Sequence, residues 1–275
     1  NYLSFQYAVP PETFFEGVYC LMPGHYLWYK DGKVTTTRYW EARFEPDESL
    51  TEEQAIDEIE KVFENSVNAH KISDVEVGCF LSSGVDSSYV STYFADQKTF
   101  TVGFDFGEKY NEISWAQRLS KKIGVDHHYK LIKSEEFWGS IKKVQYHMDQ
   151  PLADPSCIAL YFVSKIASEH VKVVLSGEGA DELFGGDPCY NDPRVFKVYQ
   201  KLVPYGLRKG ICSLMKKLPD IKGRDYLIRA THPLEDRFIG NAFMYDLDEK
   251  KKILKDPSIA TRPQDKCKPY YSRVP

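Results

Sequence analysis

Val77-Gly78-Cys79-Phe80-Leu81-Ser82-Ser83-Gly84-Val85-Asp86-Ser87-Ser88 is an apolar run that feeds a short serine and glycine loop. The loop feeds a helical pattern at Tyr89, Val90, Tyr93 and Phe94. The stretch therefore predicts strand, anion-binding turn, helix. Successive backbone N–H groups in such a turn point at one spot, and the helix dipole adds positive potential there. The hydroxyls of Ser82, Ser83, Ser87 and Ser88 can donate to phosphate oxygens as well. Asp86 falls where a bound phosphate needs a divalent ion beside it, and Mg²⁺ takes few carboxylates plus phosphate oxygens. The loop carries no lysine, so it is not the Gly-rich Lys-Ser/Thr loop of P-loop ATPases and GTPases. A serine-rich loop with one glycine is also a common surface turn; the strand before it and the helix after it favour the phosphate reading.

Outward from this loop, strands and helices alternate. Thr51 caps a predicted helix whose apolar positions are Ala55, Ile56, Ile59, Val62, Phe63 and Val67. Beyond the loop, Lys98–Phe104 has a buried-strand pattern, residues 111–123 are helical and stop at Gly124, 125–132 read as a strand, and 135–148 as a helix. Pro151 and Pro155 punctuate the next loop, 158–170 are helical, and 171–175 form a short apolar strand. This order predicts βαβ units, hence an α/β fold with a parallel twisted sheet and helices on both faces. Residues 191–260 are helical in tone and lysine-rich, giving a helical C-terminal part. Near the start, Tyr2, Phe5, Tyr7 and Val9 alternate weakly, and Tyr26–Tyr29 with Lys30-Asp31-Gly32-Lys33 and residues 35–39 predict a hairpin. His127 and His128 fall on opposite faces of their strand, so they do not share a metal.

The last strand runs into a second motif, Ser176-Gly177-Glu178-Gly179-Ala180-Asp181-Glu182-Leu183-Phe184-Gly185-Gly186. Gly177 and Gly179 permit close backbone approach or positive φ. Three carboxylates, Glu178, Asp181 and Glu182, fall within five positions. In a parallel sheet this loop lies at the carboxyl edge, where ligands bind. Carboxylates crowded there call for a metal, a raised pKa or a basic substrate; the plainer alternative is a solvated acidic turn. Taken together, one loop offers N–H and OH donors with Asp86, and the other offers Asp181 as a second Mg²⁺ ligand. A nucleoside triphosphate with Mg²⁺ accounts for both, and Glu178 is left for proton transfer.

Bulk properties narrow the field. The 275 residues suffice for one large domain or one and a half, 42% of them are hydrophobic, and the net charge is −4. No basic block is present, so tight nucleic-acid binding is disfavoured, and with it a transfer-RNA-thiolating enzyme. The six cysteines, Cys20, Cys79, Cys157, Cys189, Cys212 and Cys267, form no Cys-x-x-Cys pair and read as free thiols of a reducing, cytoplasmic compartment. No apolar run reaches transmembrane length.

The two motifs resemble the paired signatures of glutamine-hydrolysing asparagine synthetases. The resemblance extends to Pro23-Gly24-His25, Arg38-Tyr39-Trp40 and Ala153-Asp154-Pro155-Ser156, and thinly to Thr261-Arg262-Pro263. The first signature alone marks the wider ATP-pyrophosphatase class, with its adenine nucleotide hydrolase-like sheet; the pair marks this family and its relatives. The resemblance implies ATP cleavage between the α- and β-phosphates. The L-aspartate side chain attacks the α-phosphorus to give β-aspartyl-AMP and pyrophosphate, and ammonia then displaces AMP to give asparagine. By the same carry-over, residues 82–88 cradle pyrophosphate, Leu81 and Val102 flank the adenosine, and Ser176 and Gly177 contact the nucleotide. Asp86 and Asp181 hold Mg²⁺, and Glu178 assists adenylate formation and takes a proton from the attacking ammonia.

The resemblance also sets expectations for organisation. Residues 1–46 are expected to be the tail of a glutaminase domain and its linker, and 47–275 the synthetase domain, stopping short of the family's basic C-terminal segment. Ammonia then comes from the glutaminase domain, and a homodimer stays open. Ser83 stands where the family most often has glycine, and Asp187 where it usually has an aromatic residue. If the position of Ser83 needs positive φ, a serine there costs pyrophosphate affinity. Two alternatives stay open: a relative that uses the same adenylation to close a β-lactam or peptide ring, and a catalytically inactive nucleotide-binding module.

Overall fold

A computed structural model describes the chain except residues 96, 108–110, 188–189, 191–192, 220, 241–242 and 274–275; Cys189 thus lies outside the described residues. The molecule divides into two compact units, one of residues 45–186 and one of residues 1–44 with 187–275.

In the second of these, the weak alternation at the N-terminus forms no strand. Tyr2–Phe5 (α1) is a single helical turn that buries Phe5, with the N–H groups of Ser4 and Phe5 donating to Asn1 O. The predicted hairpin is present: His25–Lys30 (β1) pairs antiparallel with Lys33–Arg38 (β2) across Asp31 and Gly32, both at positive φ as a two-residue turn requires.

The 45–186 unit holds the sheet. Glu52–His70 (α2) starts at a capping box in which Thr51 Oγ1 accepts from Gln54 N–H and Gln54 Oε1 accepts from Thr51 N–H. Val77–Phe80 (β3), Val85–Ser91 (α3), Lys98–Phe104 (β4), Ile113–Ile123 (α4), Asp126–Ile132 (β5), Ser134–His147 (α5), Ser156–Ala167 (α6), Val173–Leu175 (β6) and Ala180–Phe184 (α7) follow. The strand sheet order is β5-β4-β3-β6, all parallel. Alternation along the strands splits the core as the period of two demands. Val77 and Cys79 of β3 pack with Val67 of α2 and Val90 of α3. On the other face, Phe100 of β4 packs with Val163 and Ala167 of α6, and Ile132 of β5 with Val144 of α5 and Phe162 of α6. The α/β class with helices on both faces is thus observed.

His127 and His128 part to opposite faces. His127 Nδ1 lies 3.0 Å from Thr99 Oγ1, whereas His128 stacks on Phe100 and lies 3.0 Å from Asp126 Oδ2.

The C-terminal part is helical, as expected: Arg194–Leu202 (α8), Tyr205–Met215 (α9), Arg224–Thr231 (α10), Leu234–Arg237 (α11), Leu247–Ile253 (α12) and Gln264–Tyr271 (α13). It is tied to the N-terminal segment of its own unit. Ser4 Oγ donates to Tyr245 O at 2.7 Å, and Lys266 pairs with Glu12 at 2.6 Å. Among the described residues no helix is long and apolar enough to cross a membrane. Cys79, Cys157, Cys212 and Cys267 are free thiols.

Candidate functional site

Sheet order decides where a site can form. From β3 the chain moves outward through β4 to β5, then returns to place β6 on the other side of β3. The β3/β6 boundary is therefore a switch point, where a crevice opens beyond the carboxyl ends of the strands. The register sets Cys79 opposite Leu175, so the loops starting at Leu81 and Ser176 leave the sheet side by side.

The first loop is braced from within. Leu81 N–H donates to Phe100 O at 2.9 Å, and Thr101 Oγ1 donates to Leu81 O, so β4 fixes the start of the turn. Ser82 N–H donates to Ser87 Oγ at 3.0 Å, Gly84 N–H donates to Ser82 Oγ at 3.1 Å, and the two hydroxyls are 2.7 Å apart. The serines are thus first of all the loop's own scaffold. Gly84 is the N-cap of α3, with φ −71°, and no side chain caps the helix. The first-turn N–H groups at Val85, Asp86 and Ser87 have no intrahelical acceptor and open toward the crevice end of the helix. Ser83 does not take positive φ, so a serine in place of the family's glycine carries no backbone strain.

The second loop leans on the first. A Cβ at position 177 would stand 2.7 Å from Ser87 N and 2.9 Å from Asp86 C, so only glycine allows this approach. Gly179 is the N-cap of α7 at φ +90°, a conformation that favours glycine. Ser176 Oγ accepts from Glu178 N–H at 3.2 Å, which turns the Glu178 backbone back on the strand end.

Between the loops lies a cleft of about 420 Å³. Leu81, Ser82, Gly84, Asp86, Ser87, Val102, Ser176, Gly177, Glu178 and Asp181 all line it, so the structure brings these sequence-predicted residues together. Ser83 and Ser88 do not line it. Ser83 N–H instead donates to Glu112 Oε2 at 3.1 Å, and Ser88 sits within α3 with its N–H on Gly84 O. Apolar side chains also line the cleft, from Phe80, Phe100, Val102 and Phe104 of the strands and Leu160 and Val163 of α6.

The rim is acidic. Asp86, Glu112, Glu178, Asp181 and Glu182 line the cleft, and no Lys or Arg does among the described residues. Glu112 and Ser156 are lining residues that the sequence reading did not single out. No group of three or more His, Cys, Asp and Glu among the described residues is arranged as a metal cage. Mg²⁺ does not need one, since it binds through one or two carboxylates, waters and substrate phosphates. The all-oxygen donor set of this rim fits such an ion. Beneath the loop, burial pushes the Cys79 thiol up to about 12, which keeps it protonated and excludes it as a nucleophile.

The family model described as asparagine synthase matches residues 58–262. Asparagine synthetase (glutamine-hydrolyzing) 1 of Bacillus subtilis is 38% identical over 280 residues, covering 99% of this chain and 44% of the relative. A Mycobacterium tuberculosis relative, provisionally named asparagine synthetase (glutamine-hydrolyzing), is 36% identical over 263 residues, covering 92% of this chain and 40% of its own length. Amidase chyE of Penicillium rubens is 29% identical over 204 residues, covering 66% of this chain and 30% of its own. The chain spans less than half the length of these curated relatives. On the family model, the long match to the Bacillus protein and the paired loops, this chain belongs to the asparagine synthase family.

Proposed function

We propose that the cleft binds ATP and adenylates the side-chain carboxylate of L-aspartate, giving β-aspartyl-AMP and pyrophosphate, and that ammonia then displaces AMP to form asparagine. The observation that carries this reading is the meeting of the two motif loops at the sheet's switch point, where Gly177 packs on the backbone of Asp86 and Ser87. The first-turn N–H groups of α3 and the Ser82 and Ser87 hydroxyls bind and orient the pyrophosphate end. Leu81, Val102 and the apolar lining hold the adenosine, and Ser176 and Gly177 meet the nucleotide from the second loop. Asp86 and Asp181 would hold Mg²⁺, which when bound neutralises charge building on the leaving pyrophosphate. Glu178, exposed on the cleft rim, takes the proton from the attacking ammonia.

The relatives named as glutamine-hydrolysing support a supply of ammonia from a glutaminase domain in the longer polypeptide. Assignment of residues 1–46 as that domain's tail and linker, cytoplasmic residence and a homodimer belong to the same proposal. A second reading keeps the adenylation and changes the acceptor, as in closure of a β-lactam or peptide ring. The similar Penicillium protein, named an amidase, favours keeping it, because a protein like this chain carries a different activity name. Measuring AMP release with ATP, Mg²⁺, ammonium and L-aspartate separates the two. Aspartate-dependent AMP and asparagine support the first reading. ATP binding without aspartate-dependent AMP supports the second, and no heat of ATP binding would mark an inactive module.

A further inference from the structure

We propose that the Glu112 carboxylate, which lines the cleft and holds the Ser83 N–H just beyond the cleft wall, is an anion mimic, and that a nucleotide's phosphates reach this N–H only when Glu112 is displaced. This inference rests on the nucleotide reading of the cleft. The loop presents three backbone donors, and two are satisfied by the loop itself: Ser82 N–H by Ser87 Oγ and Gly84 N–H by Ser82 Oγ. Ser83 N–H alone reaches outside, to Glu112 Oε2 at 3.1 Å, from a residue 29 positions further along on the connection from β4 to α4.

The position of Glu112 makes this contact informative. It is the N-cap of α4 but does not cap the helix, since Asn111 Oδ1 accepts from Ile113 N–H at 3.2 Å, and the Glu112 carboxylate is left for other partners. The carboxylate turns instead into the cleft and onto the phosphate loop. A backbone N–H on an ionised carboxylate is a charge-assisted hydrogen bond, stronger than a neutral one. Phosphate and carboxylate are both anionic oxygen acceptors, so one donor serves one of them at a time, and their charges repel at such range. The loop is thereby guarded against loosely held inorganic anions.

Calorimetry on the full-length protein tests this, with Mg²⁺-free inorganic pyrophosphate and with MgATP, on the unsubstituted protein, Glu112→Gln and Glu112→Ala. Displacement predicts that Glu112→Ala binds pyrophosphate about tenfold more tightly, because a hydrogen bond to a charged group is lost from the competitor. Glu112→Gln falls between, since its amide oxygen still accepts from Ser83 N–H without the charge. Relief of charge repulsion alone would raise pyrophosphate affinity equally in Glu112→Gln and Glu112→Ala, so equal gains in the two variants also overturn the displacement. Unchanged pyrophosphate affinity in Glu112→Ala, with MgATP binding intact in the unsubstituted protein, overturns the inference alone. Weaker MgATP binding in both variants makes Glu112 a cation ligand and also overturns it. If the unsubstituted protein binds neither ligand, the nucleotide reading fails first and this inference with it.

Discussion

Single residues decide whether the two loops can share a ligand. Gly177 has no room for a side chain, since a Cβ would meet the backbone of Asp86 and Ser87 rather than a flexible side-chain tip. Gly177→Ala should therefore spread the loops, cost about 1–3 kcal/mol of stability and weaken ATP binding sharply. Urea unfolding with ATP calorimetry checks both; an alanine variant of normal stability and affinity would show that the loops need not touch. Glu178→Gln should abolish amide formation and leave ATP binding in place, and unchanged ammonia-dependent turnover would refute a role in proton transfer. At this scale the sequence was legible where residues of one chemistry cluster locally. Asp86, Glu178 and Asp181 stand out in short glycine-bearing motifs, and all three line the cleft. Glu112 carries no such signal. It lies 26 residues beyond Asp86 in a plain helix entry, and only the pairing of β3 with β4 brings it to Ser83.

At the scale of elements, alternation and capping did most of the work. The capping box at Thr51, the hairpin turn at Asp31-Gly32 and the period-two faces of β4 and β5 follow from local chemistry. The N-terminal turn α1 did not show, because four residues closed by hydrogen bonds to Asn1 O and Tyr2 O are too few to give a periodicity to read. The strand β5 makes a prediction of its own. Burial, helped by neighbouring His128, lowers the His127 imidazole from its usual value to about 4. In the unfolded chain it titrates near its ordinary pKa of about 6.5. Between those values the unfolded state binds the extra proton, so stability is full above about pH 6.5 and falls as pH drops toward 4. Thermal unfolding followed from pH 7 to pH 4 should show a shallower fall for His127→Gln than for the unsubstituted protein; parallel curves would mean that His127 is protonated as readily folded as unfolded.

For the molecule as a whole, what matters is which parts of the chain meet. The gathering of residues 1–44 with 187–275 depends on contacts such as Ser4 to Tyr245, more than 200 residues apart, and no local pattern encodes them. The sheet is different, because four short parallel strands with intervening helices admit few orders, and the one adopted sets the two motif loops on either side of a switch point. The cleft there is lined by five carboxylates, whose repulsion of a polyanion a bound cation would offset. The most direct test is a double-mutant cycle on MgATP binding with Asp86→Asn, Asp181→Asn and the pair. If both carboxylates serve one magnesium-bound nucleotide, either substitution alone should remove most of the affinity, and the double variant should be little worse, a coupling of about 1 kcal/mol or more. Independent, additive losses, or binding that survives both substitutions, would contradict a single site built from the two loops.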